Sequence, residues 1–304
     1  MWGVIDIGSN TIRLVIYSLE EGKLRPMLNK KYAAGLAGYI GKNGKLSKEG
    51  IEKLMAILCE IQSILQYIHV ENVYPFATAA LRNSTNGREI VAMIKDKCGM
   101  DVRILTGEEE AIFDYYSTIN SGTSASGLLV DVGGGSTELT FFREREILSA
   151  VSLSIGSLTL YKRFVKEVLP TEQETKCIKK EIKRSLQSIP LPEKNLVAKQ
   201  IYSVGGTARA SLKLINRKYN RSATAMEYTY KELQEFLADI EEKPRRLLNN
   251  ILCTSPERVH TIVPGMLIFD TVAKYYHAEG FTISPYGVRE GYLMHVLNMK
   301  ERVL

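Results

Sequence analysis

Short apolar runs rich in β-branched and aromatic residues mark three stretches near the start of the chain and three more leading up to its middle, and apolar residues recur at helical spacing in much of the rest. Residues 2 to 7 and 12 to 18 predict a hairpin around Gly8-Ser9-Asn10-Thr11, and 24 to 33 a third antiparallel strand. Over 46 to 65, Ile51, Leu54, Leu58, Ile61 and Leu65 recur as one helix face behind Ser47, a residue type that caps helix N-termini. A strand from 72 runs into a small-residue turn ending at Arg82, a helix covers about 87 to 98, and a short strand covers 102 to 105. The next helix opens at TGEEEAIFDYY, with Thr106 as its cap and Glu108, Glu109 and Glu110 in its first turn. The plan then repeats, with strands at 127 to 132, 136 to 142 and 147 to 153 and helices near 157 to 168 and 171 to 187. A strand and glycine turn over 201 to 210 opens another helix; helices near 230 to 241, 244 to 252 and 264 to 277 and a strand at 281 to 284 follow. YGVREGYLMHVLNM closes the chain as a helix entered through a polar turn.

The stretch 127 to 142, GLLVDVGGGSTELTFF, organises this pattern. Asp131 stands at a strand end, and Gly133, Gly134 and Gly135 are able to take positive φ and bring N–H groups onto an anion. Alone, such a turn fits a plain hairpin as well as a phosphate loop. A second copy favours the loop: VIDIGSNTIRL at 4 to 14 superimposes on VDVGGGSTEL when 125 is added, so Asp6 meets Asp131, Gly8 meets Gly133, Thr11 meets Ser136 and Leu14 meets Leu139. The offset predicts a duplicated α/β domain, residues 1–122 and 123–304, linked through SGTSASG at 121 to 127. Favourable interaction with the helix dipole is enough to explain the three glutamates after Thr106. Their helix nevertheless lies between the two halves, where a carboxylate can face a cleft. Gly205 and Gly206 of SVGGTAR form a further anion-compatible helix N-terminus.

Composition narrows the function. At 304 residues, 45% apolar and 24% charged, the chain suits two soluble domains. Cys59, Cys98, Cys177 and Cys253 are far apart in sequence, which reads as reduced packing residues. No basic leader and no apolar run of about 18 residues is present, so a cytoplasmic protein without a membrane partner is expected. The net charge of +6 is uneven: residues 151 to 304 hold 24 Lys+Arg and 16 Asp+Glu, residues 1 to 150 hold 16 and 18. A basic half beside glycine turns suits a polyanionic substrate. Nucleic acid fits that charge too, but no RNP signature, zinc-finger spacing or basic aromatic patch supports specific binding.

Five segments in order, DIGSNTIRL (6 to 14), ATAALRNSTN (77 to 86), TGEEEA (106 to 111), DVGGGSTEL (131 to 139) and GVREGYL (287 to 293), resemble the exopolyphosphatase and guanosine pentaphosphate phosphohydrolase family of the actin-like, sugar-kinase-like superfamily. The resemblance implies two ribonuclease H-like (actin-like ATPase) domains with the active site in the cleft between them and the final helix packing back on the first domain. It implies that Glu109 activates the attacking water, with Glu108 and Glu110 as neighbours one position away. It assigns Asp131 and Glu138 to the metal and the reacting phosphate, Arg82 to phosphate oxygens, and Gly8, Ser9, Asn10, Thr11, Gly133, Gly134, Gly135 and Ser136 to two phosphate loops. SVGGT departs from the commoner Gly-Thr-Ser-Gly-Thr run, and Ala34 stands where many members carry arginine. The resemblance is to the short two-domain form, without the histidine- and aspartate-rich helical domain that long members append, and that form is the one expected here.

Hydrolysing a phosphoanhydride needs charge neutralisation and positioning, hence a divalent cation, Mg²⁺ or Mn²⁺, with one or two carboxylates, and a base for water. Arg82 offers a planar fork for oxygens. The expected substrate is inorganic polyphosphate, with short chains favoured; guanosine pentaphosphate is the alternative, and the sequence leaves that choice and a homodimeric state open. A catalytically silent alarmone sensor and an ATP-dependent kinase are the competing readings, and retention of Glu109, Asp131, Glu138 and both glycine turns favours catalysis.

Overall fold

A computed structural model describes residues 1–21, 23–119, 126–190 and 198–299. The first half builds a five-stranded sheet from β1 (Trp2–Ile7), β2 (Thr11–Glu20), β3 (Lys23–Ala33), β4 (Asn72–Ala77) and β5 (Arg103–Ile104), in the order β3-β2-β1-β4-β5. Its helices are α1 (Lys48–Ile68), α2 (Ala79–Arg82), α3 (Gly87–Cys98) and α4 (Gly107–Ile119). The second half repeats the plan with β6 (Gly127–Val132), β7 (Thr137–Arg143), β8 (Glu146–Leu153), β9 (Gln200–Val204), β10 (Glu227–Thr229) and β11 (Gly280–Ile283), in the order β10-β11-β9-β6-β7-β8. Its helices are α5 (Ser157–Phe164), α6 (Glu172–Gln187), α7 (Gly205–Lys218), α8 (Tyr230–Glu242), α9 (Pro244–Thr254), α10 (Ile262–Tyr276) and α11 (Val288–Val296). Short 3₁₀ turns occupy Leu36–Tyr39 and Pro256–Arg258.

Strand alternation decides where each half hides its apolar side chains. In the first sheet Ile5, Ile7, Ile12, Leu14 and Ile16 pack with Leu54, Leu58 and Ile61 of α1, while Val4, Val15, Tyr17 and Phe76 pack with Tyr292, Leu293 and Met294 of α11. In the second sheet Leu128, Val130, Leu139 and Phe141 face the layer that includes α6, α7 and α10, while Leu129, Phe142, Tyr202 and Val204 face Tyr115 of α4. The two central helices are therefore exchanged: α4 covers the sheet of the second half and α11 the sheet of the first. They cross closely, since a Cβ on Gly291 of α11 would lie 1.9 Å from the carbonyl oxygen of Phe113 in α4.

Three expectations change. Helix α5 stops at Phe164, because Val165 turns extended (φ −103°, ψ 126°) and buries its side chain. The three-residue β10 adds an edge strand that the apolar pattern did not predict. All four cysteines are free, but only Cys98 is buried; Cys59, Cys177 and Cys253 are exposed rather than core residues. Residues 122 and 123, at the expected domain boundary, and most of SGTSASG lie outside the described residues. Among the described residues no helix is long and apolar enough to cross a membrane.

Candidate active site

The duplicated hairpins meet face to face. Each turn closes the same way, Gly8 N–H donating to Thr11 O and Gly133 N–H to Ser136 O, both at 3.0 Å. A Cβ on Gly134 would sit 3.2 Å from that of Ser9, so the loops touch. Positive φ is not what these glycines supply: among the described residues the glycines at positive φ are Gly35, Gly44, Gly99 and Gly205. Gly205 combines both needs, with φ 82° and space for a Cβ only 2.1 Å from Asp131 Oδ1. Gly8, Ser9, Asn10, Thr11, Gly133 to Ser136, Gly205 and Gly206 all line one cleft of about 120 Å³. Ser157, Gly206 and Val288 bring the N-terminal turns of α5, α7 and α11 to it, ends that favour anions. A larger groove of about 870 Å³ between α6, α8 and α10 contains none of these groups.

Register places the charges. Asp6 is opposite Arg13 across β1 and β2, and Asp131 is opposite Glu138 across β6 and β7. The repeat is thus inverted in sign at one position, 13 against 138: one hairpin holds an acid and a base, the other two acids. Burial pushes Asp131 up to about 6, and burial followed by the neighbouring Asp131 charge pushes Glu138 up to about 7. Glu138 is 1% exposed and accepts a 2.7 Å hydrogen bond from Ser152 Oγ through Oε1, while its buried Oε2 has no protein partner. Arg82 joins the two halves, with Nη1 2.7 Å from Glu110 Oε2, and Nη2 3.3 Å from Ser136 Oγ and 3.5 Å from Glu138 Oε1.

The glutamate that reaches this cluster is Glu110, not Glu109. Glu109 accepts a 2.8 Å hydrogen bond from Thr106 N–H, receives Thr106 Oγ1 as partner for its own N–H at 3.1 Å, and pairs with Arg103. Its side chain is 30% exposed and lines no part of the cleft. Thr106-x-x-Glu109 is a capping box, a sequence signature that places the second residue on the outer first turn. One residue further, about 100° around the helix, Glu110 turns inward and is buried. Burial and then Glu138 raise its pKa well above the ordinary carboxylate value, against the opposing Arg82 charge.

Sequence reading missed four arginines that line the cleft: Arg13 of β2, Arg209 of α7, Arg258 of the second 3₁₀ turn and Arg289 of α11. Burial and then Arg289 lower Arg13, to about 10, and Arg209, so these two are crowded positive charges; burial lowers Arg258, against the charge of Glu257. Burial opposes the charge on Arg289, but Glu290 and Asp6 outweigh it. Arg13, Arg209 and Arg289 stand inside or beside motifs already singled out, DIGSNTIRL, SVGGTAR and GVREGYL; Arg258 carries no comparable signal.

The Ppx/GppA phosphatase family model matches residues 15–300. Exopolyphosphatase 1 of Mycobacterium bovis is 25% identical over 97% of this chain and 88% of its own length. Guanosine-5'-triphosphate,3'-diphosphate pyrophosphatase of Photobacterium profundum is 25% identical over 98% of this chain but only 59% of its own length. Among solved structures, the Aquifex aeolicus Ppx/GppA family member is 26% identical with a TM-score of 0.78, covering 99% of this chain and 98% of its own. An exopolyphosphatase from Cytophaga hutchinsonii shares the fold at a TM-score of 0.85 and 22% identity, with the same coverage. With repeated hairpins, a phosphate-sized cleft and a family match across nearly its whole length, this chain belongs to the Ppx/GppA phosphatase family.

Proposed function

We propose that the cleft hydrolyses terminal phosphoanhydride bonds of inorganic polyphosphate, with short chains preferred. The observation that carries this reading is the character of the lining: four arginines with Asp6, Glu110 and Asp131, and no aromatic ring among the described residues. Such a lining neutralises phosphoryl oxygens and offers a base no stacking platform. In the reaction, water attacks the terminal phosphorus, its proton passes to Glu110, the bridging P–O bond breaks, and the shortened chain leaves with the bridging oxygen. A carboxyl whose pKa is raised by burial is a stronger proton acceptor than an ordinary carboxylate, which suits that transfer. Arg82 holds Glu110 in place.

A divalent cation, Mg²⁺ or Mn²⁺, fits the donors. Asp131 faces the cleft and Glu138, with its partnerless Oε2, lies directly opposite it on the neighbouring strand, so these two would hold it. Mg²⁺ takes few of its oxygen ligands from protein, so two carboxylates are enough. When bound, the ion neutralises charge on the phosphoryl oxygens. The name of the Photobacterium profundum relative supplies the alternative substrate, guanosine pentaphosphate.

Glu110→Gln tests the reading. Phosphate release should fall on the order of 10² to 10⁴-fold while polyphosphate still binds. Undiminished turnover would remove Glu110 as the base, and absence of turnover in the wild type would favour a silent sensor.

A further inference from the structure

We infer that Lys31 and Glu257 govern how long a phosphate chain the cleft engages, with Glu257 acting as a displaceable counter-ion at the outer end of a cationic row. The inference rests on the reading that the cleft binds a phosphate chain. Lys31 of β3 is directly opposite Arg13 of β2 in the antiparallel register, so both side chains leave the same face of the sheet. Glu257 immediately precedes Arg258, which lines the cleft. Arg13, Arg209, Arg258 and Arg289 line one cleft, and Lys31 adjoins them through its register with Arg13 and its ion pair with Glu257. Lys31 Nζ meets Glu257 Oε1 at 2.9 Å, joining the first half of the chain to the second.

Exposure gives the series a direction. Arg289 is 9% exposed overall, whereas the Lys31 and Glu257 side chains are 27% and 40% exposed, which sets the pair at the rim. An ion pair this open to water is weak, because solvent screens it and two long side chains must be ordered. A phosphate chain that extends past Arg13 and Arg258 brings its own anionic oxygens to Lys31 and takes over the place of the Glu257 carboxylate. A short chain ends before it. Glu257 therefore costs long chains a like-charge contact, and Lys31 repays that cost only once Glu257 has moved aside.

The pair admits a second role, a latch holding the two halves together, and the two roles predict different signs. For a latch, Lys31→Met and Glu257→Gln both break the same bond and shift KM in the same direction. For a chain-length gate they act oppositely. The experiment measures kcat and KM for tripolyphosphate and for long-chain polyphosphate at fixed free Mg²⁺, using the full chain, with melting temperatures to confirm folding. The expected result is a ratio of long-chain to tripolyphosphate KM that falls about two- to five-fold in Glu257→Gln and rises by a similar factor in Lys31→Met, with Lys31→Arg restoring it. Same-direction shifts, or ratios that do not move in variants that still release phosphate, overturn the gate while leaving the hydrolase reading intact. No phosphate release from either substrate by the wild-type protein overturns that reading, and the gate with it.

Discussion

At the scale of single residues, one helical step separates a cap from a candidate base. Glu109 was expected to act on water because it fits the family segment, but its carboxylate is committed to Thr106 and Arg103. Glu109→Ala should therefore lower stability by roughly 0.5–2 kcal/mol, the range for losing a helix cap, and leave phosphate release within a few-fold of normal. A loss of turnover as deep as in Glu110→Gln would return the base to Glu109. The pair Asp131 and Glu138 gives a second prediction. Folding raises the Glu138 pKa from 4.5 to about 7, so the stabilisation it offers is complete below about 4.5 and is lost as pH rises through 7. In metal-free protein, Glu138→Gln should gain about 1–3 kcal/mol over the wild type at pH 8 and little at pH 5, and added Mg²⁺ should narrow the gap at pH 8. Urea denaturation at both pH values, with and without Mg²⁺, checks this; a destabilised Glu138→Gln at pH 8 without metal contradicts it.

At the scale of elements, the hairpins were the most legible part of the chain, because β-branched and aromatic runs closed by a glycine turn are a local signal and the repeat at 125 supplied a second reading of it. Most helices were legible because apolar residues recurring at helical spacing are an equally local signal. What stayed hidden was set by distant packing: β10 has three residues and exists through pairing with β11, and Arg258 reaches the cleft from a 3₁₀ turn with no motif of its own. Glu110 was hidden for a different reason, since the choice among three adjacent glutamates depends on helix phase, which the Thr106 capping box fixes. The crossing of α4 and α11 is the element-level feature that brings Glu110 and Arg289 to one cleft. Gly291→Ala forces a methyl against the Phe113 carbonyl and should cost about 1–3 kcal/mol with a matching fall in melting temperature. A variant of wild-type stability would mean that the helices separate easily at that point.

At the scale of the whole molecule, two copies of one sheet plan have diverged in charge rather than in shape. The first hairpin balances Asp6 with Arg13, the second opposes Asp131 with Glu138, and the resulting excess of negative charge is what a divalent cation and Arg82 would offset. The remaining arginines come from β2, α7, α11 and a 3₁₀ turn, so the cationic wall of the cleft exists only when both halves are folded together. The positive charge concentrated in residues 151 to 304 predicts that KM for polyphosphate rises with added chloride, and more steeply for long chains than for tripolyphosphate; equal slopes would make those lysines ordinary solvated surface. The measurement that bears most directly on the central claim is inorganic phosphate release by the purified chain, with Mg²⁺, from polyphosphate, guanosine pentaphosphate and ATP side by side. The account predicts release from all phosphate chains that fit the cleft, with the highest kcat/KM on polyphosphate and only minor cleavage of ATP; release from ATP alone, or from none of the three, would contradict it.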